Sequence, residues 1–294
     1  MAGTTEHLRY AVVTLAILFA FGTLAGAEDS ARETFDHSDY AAVLNTYVDD
    51  KGMVSYRGLK AHPEKLLSYV RAIAAVPRSR YNRWDANTKI AFWLNAYNGL
   101  TLKAIINHYP IKASFFKSRI YPKNSIRQIS GVWDKLTFDV MGRKLTLEKI
   151  EHRILRVEFN EPRIHMALVC AAMSCPRLRN EPYLGDRLDE QLDDQSRTFL
   201  GHPEKFRIDR DRDTVRLSPI FKWFDEDFAR KHGSSKAVGR HKKKTSSVLR
   251  FVAEHLEGAD KSYILAGRYR VKYLDYDWSL NEQKRQQALY GRMA

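Results

Sequence analysis

Cysteine is scarce in this chain of 294 residues, which contains only Cys170 and Cys175. One possible pair excludes a disulfide-rich scaffold, in which several bridges replace a hydrophobic core. The stability of the fold must therefore come from buried apolar side chains, for which the chain is long enough. The Cys-x4-Cys spacing does not suit one straight strand, although a turn at 171–174 could bring the two sulfurs together. The sequence leaves open whether they are bonded.

Long apolar runs are also missing, with one exception at the start of the chain. Residues 10–24 are mainly apolar, follow Arg9 and lead into small residues at 25–27. This pattern predicts a cleaved signal peptide at 1–27, and hence a periplasmic or secreted protein with no transmembrane span in the mature chain. Because the charge before the apolar run is weak, an uncleaved anchor stays an alternative.

Internal repeats and linkers between separate cores are absent as well. We therefore predict a flexible segment at 28–39, one domain at 40–281 and a polar tail at 282–294. Helical spacing predominates, so the predicted class is α+β, mostly helical with a small, mainly antiparallel sheet. The shorter predicted elements are helices at 40–48, 63–75, 186–200 and 248–256, a hairpin at 138–145 and strands at 206–209 and 214–217.

Acidic residues are too few to balance the basic ones, since 35 Asp and Glu face 49 Lys and Arg and the net charge is +14. Such a surface favours an anionic partner, such as an envelope component or polymer. No aromatic residues interleave the lysine run at 242–244, and predicted export also argues against nucleic acid as the partner. The partner itself stays undefined.

A long helix is predicted from Ala86 to Asn107, with apolar residues on nearly all its faces. Asn98 lies on the most apolar face and Asn95 at its edge. A buried amide without partners costs about 1–3 kcal/mol, so both side chains should be hydrogen-bonded. Either they tie down a neighbouring loop or they orient a residue of a functional site.

A second helix is predicted to begin after the N-cap Thr146 and to run to Phe159. Glu151 lies at the edge of its apolar stripe. His152 and Arg156 lie on the polar side, four residues apart. The helix therefore presents titratable groups beside the core.

The segment from Pro162 to Pro176 is the most hydrophobic part of the mature chain, yet it holds His165 and both cysteines. Its first half is short, bounded by proline and rich in β-branched residues, which predicts a buried strand. A turn should follow. Three interpretations of this segment stay open.

In the first interpretation, Cys175 is a thiolate nucleophile and His165 is its base. Ser174 before the cysteine and proline after it predict a helix N-terminus, which would lower the pKa of the thiol. Arg177 and Arg179 would add positive charge near the sulfur.

A third residue, Asn98 or Glu151, would orient the imidazole. Such a trio performs thiol-dependent hydrolysis and group transfer. If the two cysteines are bonded instead, the pair is structural or redox-active, and thiol-dependent hydrolysis is excluded.

The second interpretation is a zinc site made of Glu148, His152, His165 and Cys175, although their spacing matches no known ligand pattern. The third is structural. His165 would then be hydrogen-bonded in the core, and the cysteines would be bridged or buried as small apolar residues.

Four segments together resemble the domain-of-unknown-function 547 family, namely 91–98, 150–156, 162–179 and 276–281. The resemblance covers roughly 40–281 and implies the family fold but no activity. The signal peptide resembles the exported bacterial branch. The resemblance implies that the family motif is defined by polar positions, which favours a site over packing: Asn95, Asn98, Glu151, His152, Arg156, His165, Ser174 and Cys175.

One departure from the family pattern follows the first cysteine, where relatives usually have Gly and this chain has Ala171. A turn that needs a positive φ at this position would be strained. A tight oxyanion-type loop is therefore in doubt.

The sequence thus predicts an exported Cys/His thiol-dependent hydrolase or acyl transferase that acts on an envelope component. The alternative is a non-catalytic envelope protein that holds an anionic partner on its basic surface. No cofactor and no metal is predicted. The candidate catalytic residues are Cys175, His165, Asn98, Glu151 and His152. The candidate substrate-binding residues are Asn95, Arg156, Ser174, Arg177 and Arg179.

Overall fold

Helix α5, Ala86–His108, is the element around which the first half of the domain packs. The computed structural model describes residues 34–284. Asp85 caps the helix by accepting a hydrogen bond from the Thr88 N–H (2.7 Å), and nearly every residue from Ile90 to Ile106 is buried. The predicted long, almost wholly buried helix is confirmed, because apolar residues cover all its faces.

The remaining helices surround α5 or form the second half of the domain. They are α1 Ser38–Tyr47, α2 Tyr56–Ala61, α3 Glu64–Ala75, α4 Arg78–Arg83, α6 Leu147–Lys149, α7 Arg156–Glu158, α8 Leu188–Leu200, α9 Ile220–Trp223, α10 Asp225–His232, α11 Lys243–Glu254 and α12 Gly258–Ala266. Short 3₁₀ turns occupy Lys117–Arg119, Ile126–Gln128, Pro162–Met166 and Gly185–Arg187.

Two small sheets accompany the helices. Strands β1 Thr137–Val140 and β2 Arg143–Thr146 form an antiparallel hairpin. Strands β3 Phe206–Asp209 and β4 Thr214–Leu217 are antiparallel, and β4 also pairs in parallel with β5 Arg270–Tyr273. The predicted α+β class, mostly helical with mainly antiparallel strands, is confirmed.

A second hydrophobic cluster joins α8, α9, α10 and α11 to the β3–β4–β5 sheet. Its centre is formed by Phe221, Phe228 and Phe251, whose rings lie 4.8–6.0 Å apart. Large buried aromatic rings supply much of the apolar area on which a fold depends. This cluster supports α9 and α10, which carry one side of the functional site described below.

The predicted strand in the first half of 162–176 is wrong. Residues Pro162–Met166 form a 3₁₀ turn, in which proline occupies the first turn and the Glu161 carboxylate accepts from the Arg163 N–H (3.1 Å). Short apolar runs do not distinguish strand from helix by their periodicity alone. The predicted helix after Cys175 is also missing, since no helix begins between Cys175 and Gly185.

The turn between the cysteines places Ala171 in the left-handed region, with φ at 59°. An alanine there costs about 1–2 kcal/mol relative to ordinary backbone. Ala171 and Ala172 are both buried, but only Ala171 has a positive φ. We expect Ala171→Gly to be about 1–2 kcal/mol less destabilising than Ala172→Gly in urea denaturation. Equal losses would contradict this account of the turn.

The predicted signal peptide at 1–27 lies outside the described residues, as do the first half of the predicted flexible segment, 28–33, and the last ten residues of the tail. The first described helix, α1, begins at Ser38. Within the span 34–284, no helix is both long and apolar enough to cross a membrane.

Candidate functional site

A pocket of about 440 Å³, here called the central pocket, opens between the two halves of the domain. Tyr97 of α5 lines it, together with Glu151 and His152 from the segment after α6. His165 and the cysteine pair line it as well. Four of the residues predicted from sequence, Glu151, His152, His165 and Cys175, therefore meet in one cavity, which is a common setting for a binding or active site.

Glu151 lies in a turn of wider, π-type helix, Ile150–Leu155, that separates α6 from α7. Such turns are frequent at functional sites because they displace side chains from the regular helix face. The Glu151 side chain is only 12% exposed. Burial raises its pKa to about 7, while hydrogen bonding to Tyr97 and the charge of Arg156 act in the opposite direction. Near neutral pH this carboxyl group can both donate and accept a proton.

His152 has its tautomer fixed by Arg156. The Arg156 Nη1 donates to His152 Nδ1 at 2.7 Å. A guanidinium only donates, so Nδ1 accepts and the proton of the neutral ring lies on Nε2. That Nε2 is 4.0 Å from Glu151 Oε1. Burial and the charge of Arg156 lower the pKa of His152, so the neutral ring is favoured.

His165 is paired with Asp227, a residue that the sequence analysis did not single out. Its Nε2 donates to Asp227 Oδ2 at 2.7 Å, and its ring stacks on Phe224 with centroids 3.9 Å apart. Burial lowers the pKa of His165 to about 4 in spite of the neighbouring carboxylate. The ring is therefore neutral, and Asp227 fixes its orientation.

Asp227 is also the anchor for two arginines. Arg156 donates to it from Nε (2.5 Å) and Nη2 (3.2 Å), and Arg230 donates to Oδ1. Burial alone would raise the pKa of Asp227, but the hydrogen bonds from His165 and Arg156 hold it well below its usual range. One ionised carboxylate thus positions both histidines of the pocket, His165 directly and His152 through Arg156.

The two cysteines are joined in a disulfide, with an S–S distance of 2.07 Å. The Tyr276 hydroxyl lies 3.2 Å from the Cys175 sulfur and 3.4 Å from that of Cys170, and the Cys170 N–H donates to the Cys175 sulfur at 3.0 Å. Cys175 carries no free thiol in this structure, so the predicted thiolate nucleophile requires correction. The structural or redox-active interpretation of the pair fits the observed bond.

The amides of α5 hold loops. Asn98 donates to the Ala167 carbonyl (3.0 Å) and accepts from the Val169 N–H (2.9 Å). Asn95 makes the same pair of bonds with the backbone of Tyr183, at 2.8 and 2.9 Å. Both predicted partnerships are therefore with a loop, and neither amide lines the central pocket. Asn98 does not orient His165, because Asp227 does.

The other predicted substrate-binding residues also have structural partners. The Ser174 hydroxyl accepts from the Asp277 N–H at 2.8 Å. Arg177 donates to the Asp50 carbonyl (2.8 Å), and Arg179 forms ion pairs with Glu181 and Asp194. These two arginines lie outside the lining of the central pocket and do not activate the Cys175 sulfur.

The alternative of a zinc site does not fit the geometry. The sulfur of Cys175 is bonded, His152 Nδ1 accepts from Arg156, and His165 Nε2 donates to Asp227. Over residues 34–284, no group of three or more His, Cys, Asp or Glu side chains is arranged to hold a metal ion.

Several pocket residues were missed by the sequence analysis. One side of the pocket, here called the aromatic wall, is formed by Trp133, Trp223, Tyr276 and Trp278. Arg127 lies beside this wall. The sequence signal for this wall is the rarity of tryptophan, because three of the five tryptophans in the chain line the pocket. Asp227 had no local signal, since its partner His165 is 62 residues away.

The chain matches a protein-family model over part of its length. Residues 81–200 match the family described as "Protein of unknown function, DUF547". Comparisons with curated proteins and with solved structures gave no match. The matched residues include α5, the Glu151 turn, His165 and the disulfide. The resemblance to the DUF547 family predicted from sequence is thus confirmed over residues 81–200.

Proposed function

We propose that this protein is an exported hydrolase or group transferase that acts on an envelope component, with Glu151 as its general acid and base. The single observation that carries the proposal is the position of Glu151. It is a buried carboxyl group with a pKa raised to about 7 that lines a cavity large enough for a small substrate. Export and the envelope rest on the predicted signal peptide.

The groups around Glu151 suit proton transfer. In its protonated form Glu151 gives a proton to the leaving group, and as a carboxylate it takes a proton from the attacking water or acceptor hydroxyl. The His152 Nε2–H faces the same space and can donate to an oxygen of the substrate. Such a pair of neutral donors stabilises negative charge as it develops on the substrate.

The histidines are held by residues that do not line the central pocket themselves. Arg156 fixes the tautomer of His152, and Asp227 fixes the ring of His165. Both are positioning residues. Their bonds restrict the orientation of the pocket's donors, and misplacement by about 1 Å can reduce a rate by about two orders of magnitude.

The aromatic wall favours a substrate with flat or ring-shaped apolar faces. Trp223 is 48% exposed, and its ring lies 4.9 Å from Tyr276 and 6.2 Å from Trp278. An exposed tryptophan in a lined cavity offers a stacking surface. Envelope polymers contain sugar rings, whose apolar faces would stack there.

The proposed function does not use a cysteine thiolate, in contrast to the function predicted from sequence. A bonded sulfur is not a nucleophile, because only the thiolate attacks. Cys175 is also only 2% exposed. The acid–base role is therefore assigned to Glu151. The disulfide contacts Tyr276 and so supports one side of the pocket.

A second candidate function is non-catalytic binding of an anionic polymer. A separate cavity of about 560 Å³ is lined by Arg240, Arg268 and Arg270, all exposed. Together with the net charge of +14, this surface would attract polyanions. It shares no lining residue with the central pocket, so the two functions can be tested with separate variants.

The test compares wild type with Glu151→Gln and with Glu158→Gln, an exposed control on the same helical stretch. Isolated peptidoglycan, nitrophenyl esters and nitrophenyl glycosides serve as probes. We expect turnover of at least one probe by wild type and the control, and a loss of about 10²–10⁴-fold in Glu151→Gln. A double Cys170→Ser/Cys175→Ser variant that folds should retain the activity.

Two results would contradict the proposal. One is turnover that survives in Glu151→Gln. The other is an absence of turnover with every probe, together with salt-sensitive binding of polyphosphate that Glu151→Gln leaves intact, which would favour the binding protein.

A further inference from the structure

Arg127 is held among aromatic rings at the edge of the central pocket. Its guanidinium carbon lies 4.2 Å from the ring centroid of Trp278, 5.0 Å from that of Trp133 and 5.1 Å from that of Tyr121. Stacking on several rings fixes the plane of a guanidinium while leaving its edge of N–H donors free.

That guanidinium contacts aromatic rings but no hydrogen-bond acceptor among the described residues. In the span 34–284, Arg127 forms no ion pair, and its buried Nε has no hydrogen-bond acceptor. The Nε atoms of Arg177 and Arg179 also lack acceptors, but both of these guanidinium groups are bonded through an Nη atom, whereas Arg127 is not. A desolvated donor normally costs free energy unless something accepts from it. An absent acceptor at a pocket wall indicates a ligand.

Arg127 and Glu151 both line the central pocket, so one ligand bound there can contact both. Tyr276 lines the same pocket as both residues. Asp134 and Glu148 also line the pocket, yet neither forms an ion pair with Arg127. An oxyanion that accepts two parallel hydrogen bonds fits the unpaired N–H donors of this guanidinium.

We propose that Arg127 binds an oxyanion of the substrate, a carboxylate or a phosphate group, next to the ring that stacks on the aromatic wall. This deepens and rests on the proposed function, because it assigns the substrate class of the same pocket. A protonated Glu151 adds no negative charge, so an anionic substrate can enter beside it. Neutral analogues lose the contact and bind more weakly.

The experiment measures binding and not turnover, so that it is independent of the chemistry of Glu151. Tryptophan fluorescence is titrated with glucuronate, glucose 6-phosphate and neutral glucose, since Trp133 and Trp278 touch Arg127. We expect wild type to bind at least one anionic sugar about tenfold or more tightly than glucose. The preferred anion distinguishes carboxylate from phosphate as the natural group.

The variants are Arg127→Gln, Arg127→Lys and the control Arg119→Gln. Arg119 is a matched control because it is exposed and stacks on Phe115 at 5.1 Å, outside the pocket. Arg127→Gln should lose the preference for the anion, Arg127→Lys should keep part of it, and the control should keep all of it. Arg127→Lys decides the outcome if Arg127→Gln does not fold.

Binding of glucose as tight as that of both anions would overturn the proposal. So would an anion preference that is unchanged in Arg127→Gln. Glu151→Gln is titrated in parallel and should retain the preference. An anion preference together with turnover that does not depend on Glu151 is a failure of the proposed function alone. Turnover that depends on Glu151 without an anion preference is a failure of this inference alone.

Discussion

Replacing Glu151 with Gln should make the protein more stable at alkaline pH. In the folded protein burial raises the pKa of Glu151 from 4.5 to about 7. Between these two values the folded state holds the proton more tightly than the unfolded chain, so stability falls as the pH rises through this window. Each pKa unit corresponds to about 1.4 kcal/mol, which gives a loss of about 3 kcal/mol above pH 7.

Glutamine removes this pH dependence because it does not titrate. The free energy of unfolding of Glu151→Gln minus that of wild type should therefore increase by about 3 kcal/mol between about pH 4 and about pH 8. Urea denaturation at several pH values measures this difference, in which the other titrating groups cancel. Glu158→Gln is the control and should show no such increase. A difference that stays constant with pH would contradict the buried acid.

Replacing Asp227 with Ala should cause the largest loss of stability. Its carboxylate is 7% exposed and accepts hydrogen bonds from Arg156, His165 and Arg230. Removing it leaves the largely buried Arg156 and the buried His165 without their acceptor, which typically costs about 3–5 kcal/mol. Because the pKa of Asp227 is held below its usual range, its contribution is present at neutral pH and is lost as the pH falls through the folded pKa.

Thermal and urea denaturation near pH 7 measure this loss, with Asp225→Ala as the control. Asp225 lies on the same helix, with a side chain 31% exposed and paired with Lys244 near the surface. It should cost less than about 1 kcal/mol. Equal losses for the two variants would show that Asp227 does not anchor the site.

Local patterns were enough to predict the elements that carry the site. The buried faces of α5, the cap at Thr146 and the β1–β2 hairpin were all predicted from residue spacing, and the structure confirms them. The buried amides Asn95 and Asn98 were expected to tie down loops or orient a site residue, and they tie down loops. Hydrogen-bonding capacity and burial constrain such residues strongly.

Partners far apart in sequence could not be predicted. His165 pairs with Asp227 across 62 residues, and Arg127 stacks on Trp278, which follows it by about half the chain. Spacing within one element says nothing about such contacts, because they depend on how elements pack. The 3₁₀ turn at Pro162–Met166 was mistaken for a strand since five apolar-rich residues fit both patterns.

The protonation of the Glu151 carboxyl group in the folded protein is the most direct test of the central claim. Infrared difference spectra of wild type against Glu151→Gln, recorded across pH, isolate the carbonyl band of this one protonated acid. The account predicts that the band disappears with a midpoint near pH 7. A midpoint close to the ordinary glutamate pKa of about 4.3 would contradict it, because the pocket would then hold no acid at neutral pH.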